Sequence, residues 1–366
     1  MGDGSANDCH NSTTVAHGQG PKASALMFAA GVLGNVIALV LLEVRRRSNR
    51  GKERQSLFHV LVTWLVVTDL LGTCMLSPVV LRSYSQNRTL MNLPDEGACK
   101  YFAFSMTFFA LTTMSILFAM ALECSFSIGH PYFYERHITK SSGYIAIPVV
   151  YLFCLLFCAM PLMGFGRYVQ YCPGTWCFID MRAKELVNKV YSLLYASVML
   201  LLIISILVCN ISVIVHLVLM HRRHKRRQGS SFKKTRRSVS MTEEMEHLIL
   251  VVVMTVFFMV CSLPLTVRSY TNVISVEKNH ERDLYALRSL SMNSIFDPWI
   301  YTILRPSVRR FLLSAVCNIA SSKSKKCSPE DALLQSTKLG QMEMCCNPDV
   351  NTVPALASNR QDKLGN

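Results

Sequence analysis

The chain has 366 residues and a formal net charge of +15, with 38 Lys and Arg against 23 Asp and Glu. Hydrophobic residues make up 51% and charged residues only 17%, where ordinary soluble domains carry about 25% charged residues. The apolar excess excludes a disordered chain. Fourteen Cys in this length are too sparse for a disulfide-stapled miniprotein, and the composition points to a membrane protein.

In chain order, residues 1–22 are polar and contain no apolar run of the kind a cleavable leader needs. Seven apolar stretches follow, over 23–44, 58–81, 101–122, 144–165, 190–219, 248–267 and 284–304. Each is long enough, as helix, to cross a hydrocarbon core of about 30 Å. None alternates apolar with polar residues as a barrel strand would. Inside lipid every backbone N–H and C=O must be paired within its own segment, so the spans are predicted as helices. The first span doubles as the insertion signal. The expected fold class is all-α, a seven-transmembrane helix bundle over residues 23–304. Beyond it, Arg309 and Arg310 beside Phe311, Leu312 and Leu313 predict a short amphipathic eighth helix over 305–320. Cys317 there is a candidate for palmitoylation. Residues 321–366 are polar and aperiodic and are expected to be a disordered cytoplasmic tail.

Lys and Arg in short loops set orientation. The loops 45–57, 123–143 and 220–247 together hold seventeen, and the opposite loops about half as many, interspersed with acids. The three basic loops are therefore expected in the cytoplasm. That places the N-terminus, residues 1–22, outside a multi-pass cell-membrane protein. The sequons Asn11-Ser-Thr and Asn87-Arg-Thr fall on the predicted outside and are candidate glycosylation sites. Asn210-Ile-Ser lies inside the fifth span and is discounted. Because the basic residues border spans, the charge is read as topology and not as nucleic-acid binding. Ser238 and Ser240, beside Arg236 and Arg237, are candidate kinase sites.

Ionisable residues inside spans are functional candidates by default. Asp69 lies mid-way along the second span, Glu123 ends the third, and Arg288 and Asp297 lie in the outer and lower parts of the seventh. The two aspartates with Asn35 and Asn293 suggest a polar cluster between helices. It has two readings, hydrogen bonding that fixes helix register or a switch. Ideal helix geometry places Arg288 on an apolar stripe with Met292, Ile295 and Trp299, from which it would snorkel to the interface. The third span has no Asp between Cys99 and Glu123 to pair with an amine ligand, and the seventh has no Lys for a Schiff base. No nucleophile–base pair or metal-ligand cluster has suitable spacing, so neither an enzyme nor a cofactor is expected. A transporter or channel is the alternative of a different class, but it wants several polar residues along a midplane path, and only Asp69 and Asp297 qualify.

Gly34-Asn35 in the first span, Asp69 in the second, Glu123 ending the third, Pro264 in the sixth and Asp297-Pro298 in the seventh resemble a rhodopsin-like G-protein-coupled receptor, over about residues 20–320. The outer loop Tyr171-Cys-Pro-Gly-Thr-Trp-Cys-Phe178 looks like the prostanoid-receptor signature. So do Cys261-Ser-Leu-Pro264 and Leu287-Arg-Ser-Leu-Ser-Met-Asn-Ser-Ile-Phe-Asp-Pro-Trp299. Within that family, Phe58-His-Val-Leu-Val-Thr63, Asp69-Leu-Leu-Gly-Thr-Cys74, Ser77-Pro-Val-Val80 and Glu246-His-Leu-Ile249 are most similar to the prostaglandin E receptors of subtype two. The prostaglandin D and prostacyclin receptors are close neighbours.

The resemblance implies a receptor for prostaglandin E2 that couples to a stimulatory heterotrimeric G protein and raises cyclic AMP. Prostaglandin D2 and prostacyclin are the alternative ligands, and arrestin and kinases are further implied partners. The resemblance makes Arg288 the anchor of the ligand carboxylate, since a planar, permanently charged guanidinium suits bidentate binding. Tyr84 and Thr175 would add hydrogen bonds. The rest of the pocket should be apolar, with Met106, Phe109, Met114 and Phe257 as candidates and Ser24 near the ring end of the ligand. Each of these is otherwise an ordinary packing residue. Four outside cysteines allow three pairings. The resemblance ties Cys99 to Cys177, leaving Cys9 and Cys172 as a second pair or as free thiols. Cys74, Cys154, Cys158, Cys209 and Cys261 read as small buried residues. The implied activation switch comprises Asp69, Glu123, Cys124, Asp297 and Pro298. One departure stands out: Glu123-Cys124-Ser125 replaces the usual Glu-Arg-Tyr or Glu-Arg-Cys, so the arginine that pairs with the acid is missing. Prostaglandin D receptors look similar there, with Glu-Cys-Trp.

Overall fold

Six of the apolar stretches fold as helices long and apolar enough to cross a membrane: Lys22–Val44, Leu57–Gln86, Ala98–Gly129, Ser141–Met163, Leu186–Met220 and Val252–Val273. The structure, a computed structural model, describes residues 12–15, 20–48, 57–95, 97–137, 140–227, 235–274 and 280–304. Cys9, Asn11, the expected helix over 305–320 with Cys317, the tail over 321–366 and the side chains of Ser238 and Ser240 lie outside the described residues. Contacts divide the chain into Met1–Thr302, which holds the bundle, and Ile303–Asn366.

The elements are α1 (Lys22–Ser48), α2 (Leu57–Gln86), α3 (Ala98–Gly129), α4 (Pro131–His137), α5 (Lys140–Ala159), β1 (Tyr168–Tyr171), β2 (Trp176–Ile179), α6 (Leu186–Arg227), α7 (Thr235–Ile274), α8 (His280–Ser291) and α9 (Asn293–Leu304). The bundle is built around α3, which packs against α2, α5, α6 and α7. Its Leu111, Met114, Ile116, Leu117 and Met120 are buried almost completely. By contrast α5 turns Ile145, Val149, Leu152 and Leu156 outward, each more than half exposed. An apolar outer face of this kind is what lipid, and not water, stabilises.

Two spans differ from their sequence-based expectation. The fourth is predicted over 144–165, but α5 ends at Ala159 and gives way to a 3-10 turn, Met160–Met163. Pro161 lacks an N–H to continue the ladder, and Gly164 closes the turn in the left-handed region, φ 95°. The seventh is predicted as one helix over 284–304. It is two, α8 and α9, interrupted at Met292, whose N–H is shared between the carbonyls of Arg288 (3.2 Å) and Ser289 (3.1 Å). Beside the break, Asn293 directs its amide to the Ser262 hydroxyl on α7 at 3.1 Å. A tertiary hydrogen bond thus sits where the helix is interrupted.

An antiparallel hairpin adds to the expected all-α bundle, with Tyr168 opposite Ile179 and Tyr171 opposite Trp176. Every residue of both strands is buried. Its turn needs Gly174, which has φ 98° and on which an added Cβ would collide with Thr89 Cγ2. The Cys99–Cys177 disulfide pins β2 to the first turn of α3. Residues 12–15 strap across the same region. Thr89 donates its N–H to the Thr13 carbonyl (3.2 Å) and its hydroxyl to the Ser12 carbonyl (2.7 Å). The buried Gln170 amide donates to the Ser12 carbonyl (3.3 Å) and accepts from the Met91 N–H (3.0 Å). Cys172 is disulfide-bonded, and its expected partner Cys9 lies outside the described residues.

Candidate functional site

Beneath the hairpin, between α1, α2, α3, α7 and the α8–α9 junction, lies a cavity that encloses, together with the solvent space it opens to, about 820 Å³. Met27, Leu76, Val80, Phe102 and Phe109 supply apolar wall, and Ser77, Thr113, Ser291 and Ser294 place hydroxyl groups among them. The side chains arrive there because small residues let the helices approach. Gly34 of α1 is one: an added Cβ would come 2.7 Å from the indole nitrogen of Trp299 on α9. That nitrogen donates to the Ala30 carbonyl at 3.3 Å.

Of the residues proposed from sequence, Ser24, Met106 and Phe109 line this cavity. Met114 is fully buried elsewhere in the packing of α3. Phe257 faces outward, 39% exposed, against Phe296 with ring centroids 5.4 Å apart. Its neighbour Phe258 lines the cavity instead. One residue is a rotation of about 100° on a helix, and α7 is apolar toward lipid and core alike, so hydropathy alone does not set its phase. Cys74 is likewise exposed, not buried, and Cys209 is half-buried, while Cys154, Cys158 and Cys261 are buried as expected.

The Thr175 hydroxyl donates to the Tyr84 hydroxyl at 3.4 Å, which brings two of the three expected carboxylate ligands together. Arg288 is half-buried in the last turn of α8. It stands one turn before Ser291, which lines the cavity, and neither Arg288, Tyr84 nor Thr175 is itself on the wall. Sequence reasoning passed over Trp176, next to Thr175. Its ring forms part of the cavity wall and meets Phe102 edge-on, centroids 5.8 Å apart. Its buried indole N–H has no hydrogen-bond partner among the described residues. A buried, unpaired donor is costly unless something else accepts from it.

Also unforeseen is Asp283, completely buried in the first turn of α8. One of its oxygens accepts from Arg268 Nε (2.9 Å) and Nη2 (2.7 Å) and from the Asn272 amide (3.0 Å), all on α7. The other accepts from Arg182, in the loop after β2. Three segments thus converge on one carboxylate near the hairpin end of the bundle. In sequence Asp283 follows Glu281 and Arg282 just before the predicted seventh span, and reads as loop.

Toward the middle of the bundle the expected polar cluster is present in part. Thr113 donates to Asp69 at 3.0 Å, and the Asn35 amide donates to the carbonyls of Gly31 (2.9 Å) and Ser294 (3.0 Å). Asp69 and Asp297 stand close enough to interact electrostatically. Three of their four carboxylate oxygens have no hydrogen-bond partner among the described residues.

Residues 34–301 match the seven-transmembrane receptor family of rhodopsin type. The chain is 49% identical to the prostaglandin E2 receptor EP2 subtype of Homo sapiens, over 93% of this chain and 98% of that one. The chain belongs to the rhodopsin family of seven-transmembrane receptors, in its prostanoid receptor group. It is 46% identical to the prostaglandin D2 receptor of Mus musculus, over 84% of this chain and 92% of the relative. It is also 46% identical to the prostacyclin receptor of Rattus norvegicus, over 86% and 75%. The squid rhodopsin crystal structure superposes with a TM-score of 0.69 at 15% identity, covering 93% of this chain and 90% of that one, and so shares the fold. As a rhodopsin-family receptor the chain is a multi-pass membrane protein and not an enzyme.

The receptor's departure at Cys124 has a structural counterpart. Where an arginine would pair with Glu123, the Tyr134 hydroxyl of α4 donates to Glu123 Oε1 at 2.7 Å, and the Cys124 thiol lies 3.7 Å from Oε2. Burial pushes the Tyr134 phenol well above its ordinary pKa, and the Glu123 charge adds to the shift, so the phenol stays a donor at physiological pH. Tyr134→Phe should therefore destabilise the receptor by about 1–3 kcal/mol, the usual cost of stripping a partner from a buried polar group. A thermal inactivation midpoint unchanged from wild type would show that the contact contributes nothing.

Proposed function

We propose that the chain is a receptor for prostaglandin E2 whose N-terminus lies outside the cell, and that it activates a stimulatory G protein and raises cyclic AMP. The supporting observation is the cavity beneath the hairpin. It is mostly apolar, with hydroxyl groups among the apolar side chains, and is overhung by Trp176 and the Thr175–Tyr84 pair. The relatives named for prostaglandin E2 are similar over nearly the whole chain. In this reading the aliphatic chains lie against Met27, Phe102 and Met106, Ser24 faces the ring end, and Arg288 with Tyr84 and Thr175 takes the carboxylate. The hairpin, the Asn87 sequon and the strap of residues 12–15 belong to the extracellular side. Asn87 is exposed, which suits an attached glycan. Cys9 pairs with Cys172. The domain plan is an extracellular segment over 1–22, a transmembrane domain over 23–304, an amphipathic helix over 305–320 and a disordered tail over 321–366. Asp69, Glu123, Cys124, Asp297 and Pro298 form the switch, and arrestin and kinases act on the cytoplasmic side.

The Glu123-Cys124 pair favours a second reading, a prostaglandin D2 receptor, with prostacyclin as the third candidate. Competition binding with prostaglandin E2, prostaglandin D2 and a prostacyclin mimic, read beside ligand-evoked cyclic AMP, separates them. Tightest binding of prostaglandin E2 with a cyclic AMP rise is the expected result. Tightest binding of another ligand overturns the first reading, and ligand-driven uptake or current without cyclic AMP would replace it with a transporter or channel.

Trp176→Phe keeps an aromatic ring over the cavity but deletes the indole N–H together with the pyrrole half of the ring. If the indole donates to a ligand oxygen, affinity should fall by about 0.5–1.5 kcal/mol, roughly 2- to 12-fold. Unchanged affinity in competition binding would assign Trp176 to packing on Phe102 alone.

A further inference from the structure

The end of the bundle opposite the hairpin carries an unexplained pair of imidazoles. His130 caps α3, its backbone N–H bonded to the Phe126 carbonyl at 3.0 Å. His216 projects from α6 against the last turn of α3. Its Nε2 lies so near Gly129 that an added Cβ there would stand 3.3 Å away. The two ring centroids are 6.3 Å apart, with planes inclined at 64°. We propose that His130 and His216 form a two-imidazole site for a divalent transition-metal ion of the zinc class, which on binding ties the end of α3 to α6.

The chemistry follows from the donor set. Neutral imidazole nitrogen suits zinc, copper and nickel, whereas calcium and magnesium demand oxygen ligands. With zinc–nitrogen bonds of about 2.0–2.1 Å, two imidazoles on one tetrahedral ion hold their centroids about 5–6 Å apart. The observed separation is close to that range, and the exposed His130 ring can rotate to close it while its backbone stays capped. Among the described residues no third His, Cys, Asp or Glu completes the group. The site therefore offers two protein ligands and leaves the other positions to water, which makes binding reversible and weaker than at a structural zinc centre. Gly129 is part of the design, because any side chain there would press on His216. The proposal concerns residues outside the ligand cavity and stands whichever prostanoid the receptor binds.

The test uses the full-length receptor, purified and stripped of metal with a chelator. Zinc chloride is titrated while the thermal unfolding midpoint is followed. A saturable rise is expected for the wild type. Changes in the outer shell of a metal site alone cost about 10–100-fold in affinity, so His130→Gln and His216→Gln should each raise the midpoint zinc concentration at least tenfold. The double variant should be no worse than either single one, because each single change already breaks the shared site. The chain holds 10 His in all. A midpoint zinc concentration unchanged in either single variant, or losses that add in the double, places binding elsewhere and overturns the proposal. Should a variant fail to fold, the wild type supplies the same answer through chemical modification. Zinc should shield His130 and His216 together from diethyl pyrocarbonate, as mapped by peptide mass, and equal modification with and without zinc overturns the site. A plain edge-to-face ring contact responds to none of these additions.

Discussion

Replacing Arg288 with alanine should weaken binding of an acidic prostaglandin by roughly 30- to several-thousand-fold. The side chain is half-buried in the last turn of α8, a turn above a cavity wall made of apolar groups and hydroxyls. Truncating one partner of a desolvated, hydrogen-bonded charge pair costs about 2–5 kcal/mol, which converts to that range at about 1.4 kcal/mol per tenfold. Arg288→Lys should recover only part of the loss, because an ammonium is a point charge and lacks the planar fork. The decisive comparison uses a neutral ester of the same ligand. Wild type should discriminate strongly against the ester, and Arg288→Ala should bind acid and ester nearly alike. If the alanine variant still discriminates as strongly as wild type, the carboxylate is held by some other group. An Arg288 that merely snorkels predicts a small change in expression and none in binding.

Asp283→Ala should be among the most damaging single changes near the hairpin. It leaves the Arg182 and Arg268 side chains, 16% and 15% exposed, confronting each other without the carboxylate that both contact. Breaking a buried ion pair by removing one partner costs about 3–5 kcal/mol. The loss should appear as poor surface expression and a much lower thermal midpoint. Asp283→Asn keeps the shape but not the charge and should fall between. A double variant, Asp283→Ala with Arg182→Ala, should be less harmful than the sum of its parts, since the second change removes one of the stranded cations. An Asp283→Ala receptor as stable as wild type would mean that the carboxylate ties nothing together. Because this carboxylate links the loop after β2 to α7 and α8, partial loss should also loosen the hairpin over the cavity and raise ligand off-rates.

These two residues show where sequence reasoning reaches and where it stops. The spans were legible because lipid imposes a requirement that each segment meets alone: some twenty apolar residues with every backbone group paired internally. For the same reason Asp69, Glu123, Arg288 and Asp297 stood out, a charge inside such a segment being conspicuous without any knowledge of its neighbours. The motif Tyr171–Phe178 pointed to the right family from a short stretch, before the buried hairpin it belongs to could be seen. What stayed hidden depends on more than one segment at a time. The phase of α7, which puts Phe258 and not Phe257 at the cavity, is invisible to hydropathy when lipid and core are equally apolar. The break at Met292 is accompanied by a hydrogen bond from Asn293 to Ser262 on another helix. The roles of Asp283, Trp176 and the His130–His216 pair arise only when residues tens of positions or more apart meet. Membrane insertion is a property of each segment taken singly, whereas a site is a property of their packing, and only the folded bundle supplies that.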